Sequence, residues 1–289
     1  NTARIGTAIQ GLGAAELGFQ GSLAYAKDRL AMRSLSGPKN PEGIADPIIV
    51  HPDVRRMLLS QKAVAEGARA LIYLTAQQAD IVHSGKTEED RKAADEALGF
   101  LTPIAKAFLT EIGYEAANLG MQVFGGHGFI SEWGMEQNVR DARIGMIYEG
   151  TTGIQALDLL GRKVLMTQGE SLKGFTKQVH VFCKENADNE QLKEFVEPLA
   201  AMNKEWGELT TKVGMSGMKN REEVGAASVD YLMYSGYAVF AYLWARMAKV
   251  ALDKMVEGTT EEMFYNAKVQ TARFYFKRML PRAKGHAES

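Results

Sequence analysis

Cysteine is almost absent from this chain, because Cys183 is the only one among 289 residues. A single cysteine excludes an intramolecular disulfide and is typical of a protein in a reducing compartment. Cys183 is predicted to be a small packing residue rather than a nucleophile. Net charge is also nearly absent, since 34 Lys and Arg residues face 35 Asp and Glu residues. The interspersed charges give no electrostatic basis for binding nucleic acid or an anionic membrane surface.

Long apolar runs are missing as well. None approaches the ~20 residues that a bilayer-spanning helix needs, so no membrane span is predicted. No secretory leader opens the chain, and a cytoplasmic protein is expected, or one of the mitochondrial matrix if the source is eukaryotic. The chain begins at Asn1 without methionine and already within an amphipathic pattern, which suggests a fragment or a processed product.

Apolar residues at a spacing of two, the signature of a half-buried β-strand, are not found in the first 167 residues. Apolar residues recur instead at steps of three and four, as in amphipathic helices. The predicted fold is therefore all-α. An antiparallel helical bundle is expected over residues 1–167, followed by a second helical region over residues 168–289.

Proline and glycine mark the expected helix boundaries. Two glycines and three prolines within the stretch 36–47 predict a long loop after the first helix. Asp53 is expected to cap the second helix, and Pro103 is expected to kink or divide the third. Five glycines of the first helix are expected to let neighbouring helices approach closely. These are Gly6, Gly11, Gly13, Gly18 and Gly21.

Large apolar side chains of the second region also keep helical spacing, and one set is predicted to be buried against the bundle. This set is Phe195, Leu199, Met202 and Trp206. An aromatic cluster further on could be a stacking platform for a ligand, but its helical spacing favours a core or an interface. The cluster contains Tyr231, Tyr234, Tyr237, Tyr242 and Trp244. His83 and His180 have no ligand-spaced partner, so no metal site is predicted.

The strongest functional pattern lies within residues 141–155. The run Gly150-Thr151-Thr152-Gly153 ends one helical pattern and starts another, because glycine accepts positive φ and threonine is a good N-cap. Unpaired N–H groups at a new helix start can meet an anionic ligand. Glu149 directly precedes this start, where a carboxylate can be either a general base or a helix-capping residue. The local pattern leaves both interpretations open.

Three linked motifs resemble the carboxyl-terminal half of the acyl-CoA dehydrogenases. They are Gly125-Gly126-His127-Gly128-Phe129, then Arg140-Asp141-Ala142-Arg143, then Ile147-Tyr148-Glu149-Gly150-Thr151 with Ile154-Gln155. The resemblance covers residues 1–165, and the remainder resembles the extra carboxyl-terminal region of a subgroup of larger members. It implies that the family's amino-terminal helical domain and middle β-domain are not part of this sequence.

Enzymes of this family oxidise an acyl-CoA thioester to the trans-2-enoyl-CoA with FAD, which an electron-transfer flavoprotein reoxidises. The resemblance implies that Glu149 is the catalytic residue that removes the α-proton. Some members carry the base just before the arginine that Arg4 matches, but Ala3 stands there and cannot accept a proton. The chain alone is expected to be inactive without the missing domains. The alternative is a non-catalytic, all-helical interaction module derived from this family.

The remaining site residues are assigned by the same resemblance. Asn1 and Arg4 match a pair near the CoA moiety, and Gly150 is a further substrate contact. Arg29 matches an arginine that reaches the FAD of the neighbouring subunit, which implies a homodimer or a dimer of dimers. The other FAD positions are Gln122, Gly125, Gly126, Thr151 and Gly153. Gly153 stands where many members have glutamine, so the dinucleotide contacts are expected to differ there.

Overall fold

The computed structural model describes residues 1–289 and confirms the all-α fold, with eleven α-helices and no β-strand. The helices are α1 (Thr2–Asp28), α2 (Pro52–Ser84), α3 (Glu88–Phe124), α4 (Gly126–Phe129), α5 (Met135–Ile144), α6 (Thr152–Leu157), α7 (Glu170–Glu185), α8 (Lys193–Lys219), α9 (Glu222–Glu257), α10 (Glu262–Phe274) and α11 (Ala283–Glu288). Two π-helical segments cover Asp158–Leu165 and Tyr275–Met279. None of the helices is both long enough and apolar enough to cross a bilayer.

Helices α1 and α3 lie in backbone contact because glycines stand at their crossing. A Cβ atom added to Gly11 would lie 2.3 Å from the carbonyl oxygen of Leu109. One added to Gly113 would lie 2.4 Å from the carbonyl oxygen of Gly11. Any larger residue at either position would push the two helices apart. This close approach fixes the position of α1, whose first turn contributes to the site described below.

The predicted role of the α1 glycines is confirmed for some positions and wrong for others. Gly18 and Gly21, like Gly11, face neighbouring atoms at close range. The predicted packing role is wrong for Gly6 and Gly13, because a Cβ atom at either position would have no heavy atom within 4 Å. Both lie on the exposed side of α1. A glycine of α1 packs only if it lies on the face of the helix that is turned toward the bundle, and the presence of a glycine does not show which face that is.

Helix α2 runs antiparallel to both α1 and α3. On the α1 side, Ser22 donates a hydrogen bond to Gln61 at 3.3 Å, and Arg69 pairs with Glu16 at 2.7 Å. The expected cap at Asp53 is wrong, since α2 already begins at Pro52. Proline suits the first helical position, because its missing N–H would have no partner there and its φ is already helical.

Pro103 does not divide α3, which continues from Glu88 to Phe124. The expected division is therefore wrong. Every residue from 100 to 110 is buried. Packing on all sides of this segment outweighs the local cost of one missing main-chain hydrogen bond.

The loop between α1 and α2 is organised around the buried carboxylate of Asp46. The carboxylate accepts N–H groups from Ser34 at 2.8 Å, Lys39 at 2.9 Å and Asn40 at 2.7 Å, and it pairs with Arg33 at 3.3 Å. Burial acts to raise the pKa of Asp46, but these donors outweigh burial and lower the pKa from 3.8 to about 2. The loop is therefore a defined structure with its own anionic centre.

The second helical region packs on the bundle through a continuous core. Trp206 of α8 lies 6.0 Å from the Phe100 ring of α3 and 6.1 Å from the Phe175 ring of α7, measured between centroids. The predicted burial is confirmed for Phe195, Leu199, Met202 and Trp206. The aromatic cluster of α9 is likewise in the core, as its spacing predicts. The division at residue 167 stays a prediction, because one apolar cluster contains residues from both regions.

Candidate active site

Glu149 lies on a tight turn between α5 and α6, formed by residues 145–150 and called here the Glu149 turn. Its φ is 54°, a positive value that costs a residue with a side chain roughly 1–3 kcal/mol. Gly150 follows with φ 88°, and a Cβ atom there would lie 2.3 Å from Nε2 of Gln155. Two successive residues thus hold unusual backbone conformations. The turn leaves Glu149 exposed at the surface of the bundle.

Two buried polar side chains hold the Glu149 turn by hydrogen bonds to its main chain. Lys106 of α3 donates from Nζ to the carbonyl oxygens of Gly145 at 2.8 Å and of Gly150 at 2.6 Å. Gln155 donates from Nε2 to the carbonyl oxygen of Glu149 at 3.2 Å. Burial lowers the pKa of the Lys106 ammonium below its ordinary value. The main chain of the turn is therefore anchored, while the Glu149 carboxylate is not used in the anchoring.

Three consecutive main-chain N–H groups in this segment have no acceptor within the chain: those of Glu149, Gly150 and Thr151. Thr151 is the N-cap of α6, as predicted, and its hydroxyl accepts the N–H of Ile154 at 3.3 Å. A row of free N–H groups beside an exposed carboxylate can bind a carbonyl oxygen or a phosphate.

The helix after Thr151 changes from α-helical to π-helical along its length. It is α-helical only to Leu157 and continues as the π-helical segment Asp158–Leu165. At the junction, Asp158 accepts a hydrogen bond from Arg4 at 2.6 Å. Such π-bulges occur frequently at functional sites.

The first turn of α1 lies beside the Glu149 turn. Arg4 is held by Asp158 and remains 31% exposed, so its guanidinium is both oriented and accessible. Asn1 is the exposed N-cap of α1. The Tyr148 hydroxyl donates a hydrogen bond to the side chain of Gln10, which lies further along α1 than Arg4. The structure thus brings the predicted substrate residues Asn1 and Arg4 to the same end of the bundle as Glu149.

The second predicted cluster is the segment 122–128, called here the glycine loop, at the far end of α3. Gly125 has φ 60°, and Cβ atoms on Gly125 or Gly126 would have no heavy atom within 4 Å. Gln122 is exposed beside them. Tyr25 of α1 supports the loop by stacking on Phe124 with centroids 4.1 Å apart. The loop therefore presents open, accessible backbone.

Arg29 lies at the same end of the bundle as the glycine loop. It follows α1 directly, and its N–H donates to the carbonyl oxygen of Tyr25 at 2.8 Å. Its side chain is exposed. The predicted FAD residues thus form two separate sets in one chain. Arg29 lies with the glycine loop at the end of α3, whereas Thr151 and Gly153 flank Thr152, whose hydroxyl donates to Glu111 within α3 at 2.6 Å.

Sequence reasoning assigned no role to three buried polar residues that shape the site, namely Lys106, Gln155 and Asp158. A signal for Lys106 was present, since it is the only charged residue in the otherwise uncharged stretch 97–110. A charge in such a stretch needs a partner inside the protein. What that partner is does not follow from the pattern.

Comparison with known proteins defines the class. Residues 1–165 match the family model described as acyl-CoA dehydrogenase, C-terminal domain, and residues 175–289 match the one described as acetyl-CoA dehydrogenase C-terminal like. The 3-methylmercaptopropionyl-CoA dehydrogenase of Ruegeria pomeroyi is 38% identical over 284 residues, which cover 96% of this chain and 47% of that protein. The chain belongs to the acyl-CoA dehydrogenase family, and it spans about half the length of the relatives that it matches.

Solved structures share the fold over the whole chain. Caenorhabditis elegans ACDH-11, solved in complex with C11-CoA, has a TM-score of 0.76 at 19% identity, covering 99% of this chain and 46% of that one. An acyl-CoA dehydrogenase of Bacillus anthracis complexed with FAD has a TM-score of 0.72 at 20% identity, covering 100% and 48%. These likenesses establish the arrangement of the helices in this chain.

Proposed function

We propose that this chain is the base-carrying part of an enzyme that dehydrogenates an acyl-CoA thioester to the trans-2-enoyl-CoA with FAD. The observation that carries the proposal is the Glu149 turn, where an exposed carboxylate stands beside free N–H groups. The α-proton of a thioester is weakly acidic, so its removal needs a fixed base and donors at the carbonyl oxygen. Glu149 supplies the base, and the free N–H groups supply the donors.

The first turn of α1 would bind the CoA part of the substrate. Asp158 holds one edge of the Arg4 guanidinium, which leaves its other N–H groups for a phosphate or for the adenine ring. Asn1 adds a polar side chain at the same exposed end. Gly150 allows the substrate to come close, because it has no side chain and its N–H is free. In the family the base stands at one of the two positions that Glu149 and Ala3 match, and alanine cannot accept a proton, so the resemblance makes Glu149 the base.

The residues of the chain also fit a dinucleotide. Near Glu149, Thr151 offers a free N–H, and Gly153 offers a backbone without a side chain. At the other set, Arg29 offers an exposed cation beside the open glycine loop, which includes Gln122. Bound FAD supplies a hydride acceptor for the β-carbon, and an electron-transfer flavoprotein would take the electrons onward. The two sets lie apart along α3, because the hydroxyl of Thr152 donates to Glu111 within that helix, while the glycine loop lies at its end. As the resemblance implies for Arg29, each set would contact a different FAD. Two copies of the chain would then share each site, as in a homodimer or a dimer of dimers.

The test is Glu149→Gln in the flavin-loaded enzyme, with this chain joined to the amino-terminal half that its relatives carry. Glutamine keeps the shape of the side chain but cannot accept the proton. FAD content and acyl-CoA affinity should stay unchanged. Bleaching of the flavin by substrate without oxygen should slow by ~10²–10⁴-fold, the range usual for loss of a general base.

Glu96→Gln is the matched control, because Glu96 is an exposed glutamate on α3 away from the turn. It should bleach at the wild-type rate. A Glu149→Gln enzyme that bleaches within a few-fold of wild type would show that another residue is the base. A protein that never acquires a flavin absorbance spectrum would instead favour the non-catalytic interaction module.

A further inference from the structure

Lys106 is a buried cation in an apolar part of α3. Its side chain is 0% exposed, and all residues from Phe100 to Thr110 are buried with it. An ammonium group in such an interior is costly unless its N–H groups are hydrogen-bonded. Two main-chain carbonyl oxygens of the segment that packs on α3 accept hydrogen bonds from this ammonium group.

The two carbonyls that Lys106 contacts belong to Gly145 and Gly150, the first and last residues of the Glu149 turn. One ammonium group therefore links both ends of the turn to α3. Gln155 reaches the same Gly150 oxygen only at 3.5 Å, against 2.6 Å for Lys106. Lys106 is thus the buried side chain that bonds both ends of the turn to α3.

Glu149 lies between these two connected carbonyls and has a positive φ. A residue with a side chain normally prefers negative φ, so a loosened turn would relax and move the carboxylate. A displacement of about 1 Å in a catalytic group can reduce a rate by ~10². The position of the carboxylate thus depends on the contacts that hold the turn.

We propose that Lys106 is the positioning residue of Glu149, since it sets the place of the carboxylate by linking Gly145 and Gly150 to α3. This inference depends on the proposed function of Glu149. Lys106 touches neither substrate nor cofactor in this scheme. Its effect on the reaction passes through the backbone of the turn.

The first test needs no cofactor and uses the chain alone. Lys106→Met removes both hydrogen bonds but fills nearly the same space with an unbranched apolar side chain. A glutamate-specific protease should then cleave the bond between residues 149 and 150 at least about tenfold faster than in wild type, measured by mass spectrometry, because cleavage requires local opening.

Lys163→Met is the matched control, because Lys163 is a half-buried lysine beside Gly99 that does not contact the turn. Cleavage after Glu149 should stay at the wild-type rate in this variant. Equal rates for Lys106→Met and wild type would overturn the proposal. Should Lys106→Met fail to fold, Lys106→Gln takes its place in this test and the next, with the same expected direction.

The second test uses the flavin-loaded enzyme. Lys106→Met should lower kcat and the bleaching rate by ~10², with KM for acyl-CoA within a few-fold of wild type. In the Glu149→Gln background the same change should have little further effect, since the base is already lost. An equal loss in both backgrounds would assign Lys106 a merely structural role.

The two proposals fail in different ways. If Glu149→Gln bleaches at the wild-type rate, the proposed function is wrong, and the role of Lys106 fails with it. If Glu149→Gln is slow but Lys106→Met bleaches normally, only the role of Lys106 is wrong.

Discussion

Gly236 of α9 lies directly against the ring of Phe108 of α3, so that a Cβ atom on Gly236 would stand 2.2 Å from the ring carbons. Phe108 also packs edge-on against Phe240, one turn further along α9, with centroids 5.0 Å apart. The second helical region is therefore fitted into the bundle through a residue that has no side chain. This contact lies on the same helix, α3, that carries Lys106.

Gly236→Ala should destabilise the chain by about 1–3 kcal/mol, because the added methyl group meets a fully buried ring that has no room to move. Gly225→Ala on the same helix is the control, since no heavy atom lies within 4 Å of its Cβ position. It should be neutral or stabilising by up to about 1 kcal/mol, because alanine favours helix. Urea unfolding followed by circular dichroism measures both, and equal midpoints would contradict the close contact.

Arg29→Ala should weaken FAD retention by the flavin-loaded enzyme. A charge-assisted contact to a phosphate contributes roughly 1.5–3 kcal/mol, which corresponds to about a ten- to hundredfold change in affinity. The mutant should therefore lose its flavin absorbance on dilution and gel filtration, while Lys27→Ala, an exposed cation in the last turn of α1, should keep it. Equal flavin content in the two variants would refute the assignment of Arg29.

Asp46 should make the loop between α1 and α2 sensitive to acid. Its pKa is lower in the folded chain, about 2, than its ordinary value of 3.8, so its stabilising effect is complete above pH 3.8 and is lost as the pH falls through about 2. Asp46→Asn should thus be less stable than wild type at neutral pH, and the difference should shrink between pH 4 and pH 2. Urea midpoints across this range measure the effect.

The control for this titration is Asp28→Asn, an exposed aspartate at the end of α1. Its midpoint should follow that of the wild type at every pH. A difference between Asp46→Asn and wild type that stays constant from pH 4 to pH 2 would show that the Asp46 carboxylate is not held as described.

Cys183 should be unreactive in the folded chain. Burial raises the pKa of its thiol from 9.0 to about 11, so thiolate at pH 8 is about a hundredfold scarcer than for a free cysteine. Reaction with a disulfide reagent should be slow in buffer and fast after unfolding in guanidinium chloride. Cys183→Ala gives the background signal. Equal rates in the folded and unfolded chain would show that the thiol is accessible.

The sequence by itself determined the helices and the location of the motifs. Helix periodicity and capping depend on residues a few positions apart, and for this reason the all-α fold and the cap at Thr151 were predicted correctly. The burial of Trp206 followed from the same periodicity. The family was recognisable from short runs of adjacent residues. The catalytic role of Glu149 remains a prediction.

The tertiary structure alone decided what surrounds Glu149. Arg4 meets Asp158 across 154 positions of the chain, and Lys106 reaches Gly150 across 44. Such pairs arise only when helices cross at a particular angle and register, which local spacing does not specify. Burial likewise decided that Pro103 leaves α3 unbroken, because packing against neighbouring helices outweighs the local preference of the residue.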